Sequence, residues 1–149
     1  MNEGDLRNEL QRLWDLEHIK RLKYDYCYYG DWTTNGMVDI DKFSRLFSED
    51  AKWDVGLGAC VGRAAIAAHC KTLTFSWAHG IHYAINPRID LDGDRATGTW
   101  HLLGPLVRDG DQYPFWQSGV YYEQYIRTKD GWRIQEMSLR HFFVKSDAE

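Results

Sequence analysis

The sequence predicts a single α+β domain in which a curved antiparallel sheet wraps around an N-terminal helix. Apolar residues at helical spacing occupy the first half of the chain, strand-like alternation fills the second half, and hairpin turn signals separate the strands. The 149 residues have the length of one domain, and 44% hydrophobic residues can supply its core. A sheet that curves around a helix in this way forms a cone that is open at one end.

The first helix is predicted from apolar side chains spaced three and four residues apart. Its apolar face carries Leu6, Leu10, Leu13, Leu16, Ile19, Leu22 and Tyr26. Gly30 is expected to end this helix in a left-handed conformation, which leaves Asp31 just past its C-terminal end.

Two more helices and a strand are predicted before the sheet proper. The second helix is expected over about residues 39–47, with Asp39 or Asp41 near its start. A strand over residues 51–55 follows, and an alanine-rich stretch predicts a third helix over residues 63–73.

From about His79 onward the sequence predicts four strands in a meander. The turn signals lie at residues 92–94, 109–111 and 129–131. Bulky side chains alternate onto both faces of these strands, whereas one face of an antiparallel sheet usually meets water. We therefore expect helices against one face and a second copy of the chain against the other, as a homo-oligomer.

Charge, cysteine content and hydropathy exclude several classes of protein. The net charge is −4 and charges of both signs are interspersed, so nucleic acid is not an expected partner. Cys27, Cys60 and Cys70 are an odd number without C-x-x-C spacing, which predicts neither a disulfide framework nor a zinc knuckle. No signal-peptide core and no apolar run of membrane-spanning length occur, so no membrane contact is expected. These features together predict a soluble protein of the cytoplasm.

The histidines are the residues on which chemistry is most readily placed, because no phosphate loop or nucleophile elbow occurs. His18 and His69 fall inside predicted helices and are interpreted as structural. His79 and His82 are three residues apart on a predicted strand, where their side chains point to opposite faces. No metal site is therefore expected there.

Tyr26, Asp31 and His82 are the candidate catalytic residues, since the predicted fold allows all three to meet in its cavity. An aspartate that holds one ring nitrogen of His82 would make the other nitrogen a better general base, and Tyr26 could hold a substrate oxygen. The alternative interpretation is structural: Asp31 caps a turn, Tyr26 belongs to the core and His82 is a strand histidine. Of Arg140 and His141 on the last strand, one faces the inner side of the sheet and could complete a pocket.

Several segments together resemble a known family over almost the whole chain. They are residues 9–31, residues 49–53, HYAIN at 82–86, ATGTW at 96–100 and YIRTKDGW at 125–132. This pattern resembles the scytalone-dehydratase-like, SnoaL-like branch of the nuclear-transport-factor-2-like superfamily. The resemblance implies a cone-shaped, cystatin-like barrel with N-terminal helices packed in a curved antiparallel or mixed sheet, and a trimer.

Enzymes of this branch eliminate water or HCl without a metal or organic cofactor, and they share an Asp–His pair. By the resemblance, that pair falls on Asp31 and His82, and an associated tyrosine falls on Tyr26. An arginine on the last strand falls on Arg140 if one gap is allowed and on His141 if none is. Arg140 is the preferred match.

Two departures from the pattern bear on the substrate. The second active-site histidine of scytalone dehydratase has no match in Phe-Trp-Gln-Ser at residues 115–118. The acidic residue that follows the central-strand tryptophan in the bile-acid dehydratase has no match in Leu-Leu-Gly-Pro at residues 102–105. The substrate is therefore expected to be neither scytalone nor a bile acid.

The sequence thus predicts a cofactor-independent lyase, with dehydration as the first expectation. His82 would remove a proton from a carbon next to a carbonyl group or an aromatic ring. An isomerase, a carbon–carbon lyase and a non-catalytic binding module of the same fold are the alternatives. A small hydrophobic or aromatic substrate is expected, with a cavity lined by Trp53, Trp77, Trp116, Phe115 and Tyr121 beside Arg140.

Overall fold

The structure is a computed structural model that describes residues 2–33, 36–73 and 77–146, with only the backbone of Trp77 and of residues 144–146. Its helices are α1 (Glu3–Gly30), α2 (Ile40–Arg45) and α3 (Arg63–Leu73). Its strands are β1 (Trp32–Thr33), β2 (Gly36–Met37), β3 (Phe47–Asp54), β4 (Cys60–Val61), β5 (Trp77–Gly80), β6 (Tyr83–Asp92), β7 (Arg95–Arg108), β8 (Phe115–Thr128) and β9 (Gly131–Ser146).

Helix α1 begins earlier than predicted, because a capping box stabilises its first turn. The Asn2 side chain accepts a hydrogen bond from the Asp5 amide, and the Asp5 carboxylate accepts one from the Asn2 amide. Only the second half of the predicted apolar face is packed in the core, where Ile19, Leu22 and Tyr26 are buried. The first half is exposed at Leu6, Leu10 and Leu13.

Helix α1 ends at Gly30 as predicted, but not through a left-handed glycine. Gly30 does not have a positive φ. Asp31 continues the chain in an extended conformation, and its amide donates a hydrogen bond to the Cys27 carbonyl. A side chain at residue 30 would collide with Phe43, since its Cβ would stand 2.9 Å from the Phe43 ring. Glycine is therefore required here by close packing of α2 on α1.

The two shorter helices largely follow the sequence pattern. Asp39 caps α2 by accepting a hydrogen bond from the Lys42 amide, and α3 has the predicted bounds. Helix α2 stops earlier than expected because Phe47 already belongs to β3, which is longer than the predicted strand. Strand β3 pairs in parallel with the last strand, β9, so the sheet is mixed.

Among the described residues the strands form one nine-stranded sheet in the order β2-β1-β5-β7-β8-β9-β3-β4, with β6 also paired to β7. Strands β6 to β9 are the predicted meander. Register shifts between Ile85 and Arg88, between Ser118 and Gly119, and at Tyr125 interrupt the long ladders; irregularities of this kind bend a sheet. The expected α+β fold, a helix within a strongly curled sheet, is confirmed.

An ion pair fastens the middle of α1 to the final hairpin. Arg127 on β8 donates two hydrogen bonds to the Asp15 carboxylate, at 2.7 and 2.6 Å. The Trp132 indole donates a third, at 3.0 Å, and the guanidinium lies 4.6 Å from the Trp132 ring centre. Arg127 holds the pKa of Asp15 down at about 2.

A second ion pair joins α1 to the sheet and is completely buried. The Lys23 ammonium lies 2.5 Å from a Glu123 carboxylate oxygen, and both side chains have no exposed surface. The other Glu123 oxygen accepts a hydrogen bond from the Tyr125 hydroxyl, which in turn accepts one from the Trp100 indole. Every polar group in this cluster thus has a partner, as burial requires.

Cys27, Cys60 and Cys70 are free thiols, and Cys60 and Cys70 are buried. Within the described part of the chain, no helix combines the length and the apolar character that a membrane span needs.

Candidate functional site

The open end of the cone holds a cavity of about 280 Å³. Its polar lining comes from Tyr26, His82, Arg108, Gln117 and His141. Most of the remaining wall is apolar or aromatic and includes Trp32, Phe43, Trp53, Leu106, Phe115 and Tyr121. A concave apolar site with a few convergent polar groups is the usual form of a small-molecule site.

Asp31 and His82 are in direct contact at this cavity. One carboxylate oxygen of Asp31 accepts two hydrogen bonds from His82, from the backbone N–H at 2.8 Å and from ring Nδ1–H at 2.9 Å. Both side chains are largely buried, with 15% of His82 and 22% of Asp31 exposed. Because Nδ1 carries the hydrogen in this contact, Nε2 of the neutral ring is left as the acceptor.

Strand pairing explains why two residues so far apart in sequence meet. Asp31 directly precedes β1, and Trp32 in β1 pairs with Gly80 at the end of β5. The sequence had placed His82 on a strand, but it lies in the two-residue joint between β5 and β6. The His82 backbone N–H donates a hydrogen bond to Asp31 rather than to a neighbouring strand, so the hydrogen bonding between strands is interrupted at this point.

Tyr26 projects from the last turns of α1 into the same cavity. Its side chain is buried, and its hydroxyl accepts a hydrogen bond from the Trp53 indole at 3.3 Å. Burial raises the pKa of Tyr26 well above its ordinary value, and the same is true of the neighbouring Tyr121. Both hydroxyls therefore keep their protons at neutral pH, and Tyr26 can donate a hydrogen bond to a bound ligand.

His141 and Gln117 line the wall formed by β8 and β9. His141 Nε2 lies 3.1 Å from the Gln117 side-chain oxygen, and burial lowers the pKa of His141. Arg140, the residue preferred from the sequence, is exposed and does not line the cavity. Side chains alternate along β9, so Leu139 and His141 face inward while Arg140 faces outward.

The other predicted lining residues divide into three groups. Trp53, Phe115 and Tyr121 do line the cavity. Trp116 does not, because it lies between the inward-facing Phe115 and Gln117 of β8 and points to the other face. The Trp77 side chain lies outside the described part of the structure.

Gln117 and Arg108 also line the cavity, although the sequence did not predict them there. Gln117 shares the inward parity of Phe115 and Tyr121, and this alternation was a signal that could have identified it. Arg108 lies at the C-terminal end of β7, with its guanidinium 5.0 Å from the Phe115 ring centre. No local pattern distinguishes it from other surface arginines.

This combination of fold and cavity agrees with comparisons to known proteins. The SnoaL-like domain family matches residues 11–138, and the chain belongs to this family. An uncharacterised protein of Mycobacterium tuberculosis is 29% identical over 123 residues, which cover 80% of each chain.

Two crystal structures show the same fold. The hexachlorocyclohexane dehydrochlorinase LinA-type3 of Novosphingobium barchaimii is 21% identical, with a TM-score of 0.82 and coverage of 94% of both chains. An NTF2-like protein with a cystatin-like fold from Novosphingobium aromaticivorans is 23% identical, with a TM-score of 0.73 and coverage of 95% of this chain and 90% of that one. The cone-shaped, cystatin-like architecture expected from the sequence is thereby confirmed.

Proposed function

We propose that the protein is a cofactor-independent lyase that removes a proton from a carbon acid and expels an adjacent leaving group, with water as the first expectation. The observation that carries the proposal is the contact between Asp31 and His82 at a largely apolar cavity. The fold shared with a dehydrochlorinase, an enzyme whose name denotes loss of HCl, supports the same reaction class.

His82 would act as the general base through Nε2. Asp31 holds Nδ1–H at 2.9 Å and so selects the tautomer in which Nε2 has a lone pair. When Nε2 takes a proton from substrate carbon, the ring becomes a cation, and the adjacent carboxylate stabilises it. The second hydrogen bond, from the His82 backbone to the same oxygen, fixes the carboxylate against the ring.

Tyr26 would stabilise the negative charge that develops on the substrate. Removing a proton next to a carbonyl group places charge on the carbonyl oxygen, and a preformed hydrogen-bond donor lowers the energy of that state. The protonated Tyr26 hydroxyl is such a donor, held on α1 five residues before Asp31. Collapse of the enolate breaks the bond from the neighbouring carbon to the leaving group. The proton held on His82 Nε2 passes to that group, so that a hydroxyl leaves as water and the base is regenerated.

The cavity favours a small hydrophobic or aromatic substrate. Its volume of about 280 Å³ and its aromatic walls suit a ring system of one to three fused rings better than a sugar or a nucleotide. Aromatic side chains such as Trp53 and Phe115 offer large flat surfaces for stacking.

A panel of hydroxylated aromatic and polycyclic ketones would test the proposal. Binding is measured by ligand-linked thermal stabilisation, and products are analysed after incubation in deuterated water. The His82→Gln variant should bind the same ligands but turn over at least about 100-fold more slowly, because it lacks the base. His79→Gln is the matched control, since His79 is exposed on β5 and should leave turnover unchanged.

Each alternative function has its own outcome in this experiment. Loss of water or another fragment supports the lyase. Deuterium incorporated at a shifted double bond with no loss of mass would indicate an isomerase instead. Binding without any conversion by the wild type would indicate a binding module, and near-normal turnover by His82→Gln would exclude His82 as the base.

A further inference from the structure

The Gln117–His141 pair is a second polar feature of the cavity, and the elimination described above makes no use of it. Gln117 is on β8 and is only 6% exposed, while His141 is on β9 beside the register shift at Gly119. Both side chains line the cavity. Strand β7 lies between β8, which carries Gln117, and the joint that carries His82, and β9 with His141 lies one strand further along the sheet.

The hydrogen bond within the pair determines which ring nitrogen of His141 is available to a ligand. With the Gln117 amide oxygen directed at the ring, the contact at 3.1 Å assigns the ring hydrogen to Nε2, because an amide oxygen only accepts hydrogen bonds. In the neutral ring the lone pair is then on Nδ1, which can accept a hydrogen bond but cannot donate one.

The space beside Nδ1 is kept open by a glycine. Gly56 also lines the cavity, and a Cβ placed on it would lie 3.7 Å from His141 Nδ1 and 3.6 Å from Cε1. Any larger side chain at residue 56 would therefore occupy the region that a ligand must enter to reach Nδ1. The acceptor nitrogen, His141 Nδ1, and the space left by Gly56 therefore lie next to each other in the cavity wall.

The charges near the two cavity histidines differ. His82 contacts a carboxylate, whereas His141 contacts a neutral amide, and burial lowers the pKa of His141. The other titratable side chains that line the cavity are Tyr26, Tyr121 and Arg108, and none of them is an anion at neutral pH. His141 is thus uncharged at neutral pH, when its lone pair is available.

We propose that the Gln117–His141 pair is a second anchor for the substrate, at which His141 Nδ1 accepts a hydrogen bond from a substrate hydroxyl group. The hydroxyl is distinct from the leaving group, since an acceptor cannot assist its departure. This inference rests on the proposed lyase function and narrows its substrate to a neutral ring compound with a carbonyl group and a separate hydroxyl donor. Gln117 is the positioning residue that holds the ring in the accepting tautomer.

The anchor can be tested with two probes that differ in one hydrogen-bond donor, 6-hydroxy-1-tetralone and 6-methoxy-1-tetralone. Their dissociation constants are measured by calorimetry at neutral pH. Wild type should bind the hydroxy compound about tenfold more tightly, which is the usual effect of one well-formed hydrogen bond. His141→Phe keeps a flat ring without the acceptor and should bind both probes equally.

Two control variants separate this inference from the proposed reaction. Arg140→Gln changes the outward-facing neighbour and should keep the tenfold preference. His82→Gln should also keep it, because the anchor is independent of the base. The preference for the hydroxy probe over the methoxy probe therefore tests the anchor, while the turnover rate tests the lyase.

Gln117→Glu tests the positioning role with the ring left in place. A carboxylate beside His141 should raise its pKa, as followed by NMR titration of the imidazole, and both ring nitrogens would then carry hydrogens. The preference for the hydroxy probe should disappear in this variant. The anchor is overturned if wild type binds the two probes equally or binds neither, or if His141→Phe retains the preference.

Discussion

The ion pair between Asp15 and Arg127 gives a stability prediction whose size follows from the structure. Asp15 is nearly buried, with 7% of its side chain exposed, and Arg127 holds its pKa at about 2 instead of the ordinary 3.8. At about 1.4 kcal/mol for each pKa unit, this difference corresponds to about 2 kcal/mol of unfolding free energy. Asp15→Asn should lose that amount at pH 7, which lowers Tm by about 4 to 8 °C.

The pH dependence has a definite sign. Because the pKa of Asp15 is lower in the folded protein than in the unfolded chain, its contribution is complete above pH 3.8. It decreases as the pH falls toward 2, and about half of it remains at pH 3. The difference in unfolding free energy between wild type and Asp15→Asn should therefore be about twice as large at pH 7 as at pH 3.

Urea unfolding at pH 7, 5 and 3 measures this difference, and Asp94→Asn supplies the matched control. Asp94 contacts the same arginine at 2.9 Å, but its side chain is 80% exposed, so its loss should cost well under 1 kcal/mol. A deficit for Asp15→Asn that is the same at pH 3 as at pH 7 would refute the reasoning. If Asp94→Asn lowered the free energy of unfolding by as much as Asp15→Asn, burial of the carboxylate would not be what sets the strength of these ion pairs.

Two further predictions concern the core and the outer surface. Lys23→Met leaves the buried Glu123 carboxylate without its charged partner and should lower the free energy of unfolding in urea by about 3 kcal/mol or more. The double variant Lys23→Met/Glu123→Gln removes that charge as well and should recover part of the loss. The outer face of the sheet carries three exposed apolar side chains on neighbouring strands: Tyr83 (48% exposed), Leu103 (38%) and Phe143 (51%). Tyr83 pairs with Leu103, and both Leu103 and Phe143 pair with Ser118. We expect a second copy to cover this face, so sedimentation at micromolar concentration should show an oligomer that Leu103→Lys dissociates; a monomeric wild type would contradict this.

Elements with strong local signals were predictable from the sequence. Helix α3 has the predicted bounds, and the Asp-Gly turns at residues 92–94 and 129–131 separate β6 from β7 and β8 from β9 as expected. These features depend on residues within one turn of helix or one hairpin, where propensity and spacing decide the conformation.

Short strands and joints were not predictable in the same way. Strands β1, β2 and β4 have two residues each and exist only because a neighbouring strand supplies their hydrogen bonds. The joint that carries His82 arises from the competition between Asp31 and the ladder for one backbone N–H. Such contacts depend on partners far away in the chain.

The sequence by itself determined the order of the three candidate catalytic residues along the fold, with Tyr26 on the first helix, Asp31 just beyond it and His82 after the third helix. Only the tertiary structure decided that His141 rather than Arg140 faces the cavity, and that Lys23 pairs with Glu123 a hundred residues away. The physical reason is strand register: a shift of one residue sends every side chain of a strand to the other face. Register is set by bulges and by neighbouring strands, so it follows from the assembled sheet and not from any one segment.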